Sequence, residues 1–181
     1  MPCLSVYAQA HPQQPIKVLG RPEHVASTLA EFGVRYAQHE PVEPVGHSPS
    51  DEQLLAAYQP VLKPWLDEAG EQLIKVVRSV AGQVLTDAPH AHCLDEHSHN
   101  EDEVHLFVAG QALIGLHAAG MVYELICEKG DLLVIPAGTL HWFDGGEPAH
   151  WVAIRLLGGV QESCVRLSGD PIASVFSRLD A

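Results

Sequence analysis

Basic residues are scarce in this chain: Lys and Arg number 10 against 23 Asp and Glu, a formal net charge of −13. A nucleic-acid binder needs a basic footprint to release counterions from phosphate, so that class is excluded. An anionic membrane surface is excluded as a partner on the same ground. No apolar run reaches the length of a spanning helix. Cysteine is sparse and scattered at Cys3, Cys93, Cys127 and Cys164. None forms a C-x-x-C pair, so neither a zinc knuckle nor a thioredoxin-like site is written here. The chain opens without a basic segment followed by an apolar block. A secretory leader is therefore not expected, and the expected compartment is the cytoplasm with its thiols reduced. Repeats and low-complexity tracts are absent.

What remains is a globular composition, 46% hydrophobic and 18% charged over 181 residues. That length suits one domain with a sizeable core. Histidine is the abundant oddity, with 12 copies unevenly spread.

The expected architecture is α+β, with a helical N-terminal part over 1–70, a barrel over 71–160 and a tail over 161–181. Val25, Leu29 and Phe32 share one helical face, and Gly33 sits at a stop position, which predicts a helix over 22–33. Residues 34–38 read as a short strand. Ser48 and Ser50 are candidate N-caps for a helix over about 51–58, and Pro60 and Pro64 predict two helical pieces up to Gly70. Beyond Gly70 the character changes. Short apolar runs alternate with Gly, Pro, Asp and Asn over 73–80, 105–108, 112–117, 121–127, 131–135 and 150–157. Such spacing predicts an antiparallel sandwich or barrel. Residues 172–176 read as a last helical turn or an edge strand.

One segment carries chemistry: His97-Ser98-His99-Asn100-Glu101-Asp102-Glu103. In a strand, side chains at i and i+2 share a face, so His97 and His99 can grip one metal. Glu103 has the same parity across a short turn. Two imidazoles and a carboxylate leave open positions on a transition metal. A fourth ligand is available in His141, beyond the turn Pro136-Ala137-Gly138-Thr139.

The two halves together read His97-x-His99-x3-Glu103-x6-Gly110, then Gly130-x5-Pro136-x-Gly138-x2-His141. This is similar to the two-part pattern of the cupin superfamily, whose fold is a double-stranded β-barrel of jelly-roll type. At finer grain, Glu96 to Val104, Cys127 to Leu132, Val134 to Asp144 and Ala153-Ile154-Arg155 resemble the acireductone dioxygenases. The resemblance implies that His97, His99, Glu103 and His141 bind one divalent metal, iron(II) or nickel(II). It implies a small-molecule substrate and O2, and cleavage of a methylthio-substituted enediol ketone in methionine salvage. Asp102 and Glu96 flank the ligands. Either takes the substrate proton or orients a ligand imidazole. Arg155 is expected to meet substrate charge or to form a structural ion pair with one of the acids, and Phe143 to stack on the substrate or pack in the barrel.

Three positions depart from the family pattern. The Arg usual after Glu-Val is His105, which shares the face of Glu103 and is expected in the pocket as a substrate contact, a proton shuttle or a core histidine. An aromatic usual four residues before the first ligand is Cys93. A usual Trp is Ser163. These changes fall on the substrate side. They leave room for a different enediol, β-diketone or hydroxy-ketone, or for a metal-binding module that binds a small molecule without turnover. Trp65, Trp142 and Trp151 read as packing residues.

Overall fold

Period-two alternation governs most of the chain, and strands dominate the result. The computed structural model describes residues 2–42, 49–69, 72–79, 94–146, 150–158 and 165–179. Eleven strands are described in chain order. They are β1 (Cys3–Ala8), β2 (Lys17–Leu19), β3 (Arg35–Gln38), β4 (Gln72–Ser79), β5 (His97–His99), β6 (Glu103–Ala118), β7 (Met121–Glu128), β8 (Asp131–Ile135), β9 (Leu140–Asp144), β10 (Trp151–Gly158) and β11 (Val165–Leu167). Two α-helices, α1 (Pro22–Ala30) and α2 (Asp51–Ala69), and a 3-10 helix at Pro171–Ser174 complete the set.

β6 organises the fold. Its first half pairs with β8 and β10, and its second half with β7 and β9. One path therefore runs β11-β5-β9-β6-β7-β1-β2, while β3-β8-β6-β10-β4 branches from the same strand. The pivot is Gly110, whose backbone is left-handed (φ 69) and whose added Cβ would lie 1.9 Å from the His150 carbonyl. Only glycine fits that bend. The sequence shows two runs, 105–108 and 112–117, on either side of it; they are one bent strand.

Three apolar clusters fill the layers. Between the two sheets lie Leu4, Phe107, Ile114, Leu125, Leu133 and Ile135, with Val25 and Leu29 from α1. The alternate residues Val104, Leu106 and Val108 face outward against Leu54, Tyr58 and Leu62 of α2. This two-sided burial explains why the start of β6 is continuously buried, over 103–108. On the opposite outer face, Tyr7, Val122 and Trp142 lie under Ile172, Ala173 and Phe176 of the tail. The strands thus form two sheets sharing β6, and the hydrogen-bonded sheet does not close into the expected barrel among the described residues.

The N-terminal third differs from the helical expectation. It holds α1 and α2, but β1 pairs with β7 over six positions and β3 with β8 over four. Such short segments carry little alternation of their own, and their partners lie far along the chain. The helix over 51–69 is also one piece and not two. Pro60 and Pro64 are both on its exposed side, where water can satisfy the carbonyls they leave free. Leu54, Tyr58 and Leu62 meanwhile anchor the buried stripe. Ser50 caps it, accepting from Gln53 N at 3.2 Å while Gln53 Oε1 accepts from Ser50 N at 2.9 Å. Ser48 lies outside the described residues. No helix among the described residues is long and apolar enough to cross a membrane.

Candidate metal centre

β5 places His97 and His99 on one face, as the i, i+2 spacing requires, and His97 stands in register with His141 on β9. The three imidazoles are buried, and their ligand nitrogens all lie within 4.8 Å of one another. Two are held by backbone carbonyls. His97 Nδ1 donates to Asp95 O at 2.7 Å, and His141 Nδ1 to Thr139 O at 2.9 Å. Those bonds select the tautomer in which Nε2 carries the free lone pair, the form a metal needs.

Glu103 opens β6 beside them and is 1% exposed. Its Oε1 is 3.4 Å from His99 Nε2, and its Oε2 is 3.2 Å from His141 Nε2. Oε2 is buried and accepts no hydrogen bond among the described residues. A buried carboxylate oxygen without a donor is costly unless a cation meets it. The donor set, three imidazoles and one carboxylate, is of the kind a divalent transition metal takes, and the orphaned Oε2 fits that ion.

Burial alone would raise the Glu103 carboxyl, but the charge of the Arg155 guanidinium beside it helps to hold it well below its usual value. Burial lowers His97 and His99 to about 4 from 6.5, and His141 adds to the shift in both. Both imidazoles are therefore neutral and ready for a metal at neutral pH. Their folded values lie below the unfolded one, so the unfolded chain takes up protons first as pH falls. Stability of the metal-free protein is held above about pH 6.5 and is lost between 6.5 and 4. The slope is up to about 1.4 kcal/mol per pH unit for each imidazole. Urea midpoints of metal-free protein at pH 7 and pH 5 check this; equal midpoints would contradict it.

The remaining sequence-selected residues distribute as follows. His105 is 4% exposed, and neither ring nitrogen has a hydrogen-bond partner among the described residues. At 3.6 Å its Nε2 is too far from Glu103 Oε2 for one. Burial first, and the Arg155 charge second, lower its pKa, so it is a neutral imidazole. It stacks with Phe107 and Phe143 at centroid distances of 6.5 Å, and Phe143 meets Trp151 edge-on at 4.8 Å. An aromatic wall thus lines the interior next to the three imidazoles. Phe107 was not singled out from the sequence, although it is i+2 from His105 and that parity marks it. Arg155 is engaged: its guanidinium donates to Glu103 Oε1 at 2.6 Å.

Asp102 is exposed, and its Oδ1 accepts from Ala137 N at 2.8 Å. Gly138 N donates to His99 O at 2.8 Å. These two bonds tie the first motif to the turn that aims His141. Glu96 alternates with His97 and turns the other way; it is buried against His117 Nδ1 at 2.6 Å. Cys93 and Ser163 lie outside the described residues. Of the tryptophans, Trp142 and Trp151 are buried in apolar clusters, as packing residues should be, and the Arg35 guanidinium lies over the Trp65 ring at 4.6 Å.

Comparison with known proteins gives a consistent result. A family model, the ARD/ARD' family, matches residues 62–163. The chain is 43% identical over 180 residues to an acireductone dioxygenase of Stutzerimonas stutzeri strain A1501, covering 99% of each chain. It is 41% identical, with the same coverage, to an acireductone dioxygenase of Pseudomonas aeruginosa strain UCBPP-PA14. Among solved structures it resembles an acireductone dioxygenase from Bacillus anthracis with a cadmium ion in its active centre. The TM-score there is 0.74 at 20% identity, over 90% of this chain and 95% of that one.

Proposed function

The chain belongs to the ARD/ARD' family, and from that membership we propose that it cleaves an acireductone with O2, with His97, His99, Glu103 and His141 holding one iron(II) or nickel(II). The observation that carries the reading is the convergence of three buried imidazoles around a carboxylate oxygen that accepts no hydrogen bond. The reaction belongs to methionine salvage.

When bound, the divalent metal supplies positive charge that favours an enediolate over its protonated form. The chain's own residues supply the rest. The carbonyls of Asp95 and Thr139 keep the His97 and His141 lone pairs turned inward. Asp102 takes the substrate proton at Oδ2, because Oδ1 is occupied by Ala137 N. His105 turns a neutral imidazole toward a substrate oxygen and donates or accepts one hydrogen bond there. Phe143 and Phe107 make the apolar wall that keeps water from the reacting carbons.

The test is metal-free protein, prepared without oxygen and reloaded separately with iron(II) and nickel(II). Each form is mixed with acireductone in air, following enediol absorbance and carbon products. Expected is metal-dependent loss with formate from both forms, and carbon monoxide from the nickel form alone. Full metal loading with no decay above background would overturn the reading in favour of another oxidisable substrate or a binding role. Asp102→Asn belongs in the same experiment, since Asn keeps an acceptor for Ala137 N but cannot take a proton. Turnover should fall about 10²–10⁴-fold with metal loading unchanged. Wild-type turnover in that variant would remove Asp102 as the base.

A further inference from the structure

Arg155 does not face Glu103 across the sheet. Its register partner on β6 is His105, while Glu103 pairs with Leu157. The side chain runs diagonally, two positions along the strand, to reach Glu103 Oε1 at 2.6 Å. Diagonal neighbours are within reach of long side chains, but an arginine with a free choice would extend toward solvent. Instead, among the described residues, its Nε is buried without a hydrogen-bond partner and the guanidinium donates to the one oxygen Glu103 Oε1.

The carboxylate is thereby divided. Oε1 is held by a charge-assisted hydrogen bond, and Oε2 accepts none. Yet both oxygens lie close to imidazole nitrogens of the centre, Oε1 at 3.4 Å from His99 Nε2 and Oε2 at 3.2 Å from His141 Nε2. Without Arg155 both oxygens would be free to meet the same metal. We propose that Arg155 is a positioning residue that restricts Glu103 to one oxygen toward the metal, and so keeps the remaining coordination positions for the substrate's two oxygens. This rests on the four-ligand reading above. It also assigns Arg155 to Glu103 and not to the substrate, and leaves His105 as an inner-wall imidazole whose ring nitrogens have no hydrogen-bond partner among the described residues.

The experiment uses the full chain loaded with nickel(II), with acetohydroxamate as a bidentate oxygen probe. Three variants are compared with wild type: Arg155→Gln, Arg155→Lys, and Arg155→Met, whose apolar stem fills similar space if the Gln form does not fold. Metal analysis should give one nickel per chain in all. X-ray absorption at the nickel edge should show one more oxygen neighbour in the Gln or Met form than in wild type. Hydroxamate binding should weaken about tenfold in that form, within the range for loss of a contact behind a ligand. Arg155→Lys, which keeps a cationic donor, should restore both readouts toward wild type. A merely structural arginine would change neither the nickel shell nor its rescue by lysine. One nickel per chain with an unchanged shell and unchanged hydroxamate affinity in the Gln or Met form would overturn the assignment alone. Wild-type protein that takes up no nickel would overturn the four-ligand reading, and this inference with it.

Discussion

Replacing His141 with alanine is expected to give a folded protein that holds no tightly bound metal and has no dioxygenase turnover. His141 is the imidazole supplied by the second motif, and its ring is aimed by the Thr139 carbonyl. Without it, His97 and His99 remain on a strand of three residues with Glu103 beyond them. The loss should exceed the about 10–100-fold that removal of a contact behind a ligand costs. Folding should survive, because the β9 backbone is held by its pairing with β6 over five positions and not by this ring. Metal analysis after dialysis, oxygen uptake with acireductone and a urea midpoint together check the result. One retained metal per chain would remove His141 from the site.

The second large effect is on stability. Gly115→Ala is expected to cost about 3 kcal/mol, the upper part of the range for overpacking a filled core. Gly115 lies opposite Trp142 in the β6–β9 pairing. A Cβ there would sit 2.0 Å from Trp142 Cε2 and 2.3 Å from Cζ2, far inside van der Waals contact. The indole has nowhere to go. It is fully buried, with Phe176 at a centroid distance of 6.0 Å and Tyr7, Val122 and Ile172 in the same cluster. For a chain of this size the melting temperature should fall roughly 6–12 °C. Because Trp142 directly follows His141, metal uptake should weaken in the same variant. Thermal unfolding of metal-free Gly115→Ala and wild type reads the first effect; coincident transitions would show that the tail swings clear of the indole.

The grouping of the candidate imidazoles was legible in the sequence. The i, i+2 spacing of His97 and His99 needs only a strand to put both rings on one face, and a strand is what β5 is. Likewise the parity of Glu103 and His105 turned both inward. Both helix starts were legible, α1 by its apolar face and α2 by its N-cap Ser50, though their C-terminal ends were not. α1 stops at Ala30, and α2 runs through two prolines because its buried stripe outweighs two lost hydrogen bonds on the wet side. The strand read over 34–38 is β3, but β1 and β2 were harder, since a three- to six-residue run becomes a strand by virtue of its partner, and β1 depends on β7 as β2 depends on β1.

Local chemistry thus determined, from the sequence by itself, which residues are candidate donors, which face each takes, and which family the chain resembles. The tertiary structure alone decided what each donor's neighbours do. Arg155 answers to Glu103 across 52 positions, Asp102 to the Ala137 backbone across 35, and His117 to Glu96 across 21. Each of those contacts depends on the register between strands distant in sequence. Register is set by the whole sheet, by Gly110 bending β6 from one sheet into the other and by the apolar clusters on either side of it, so no local pattern can reveal it.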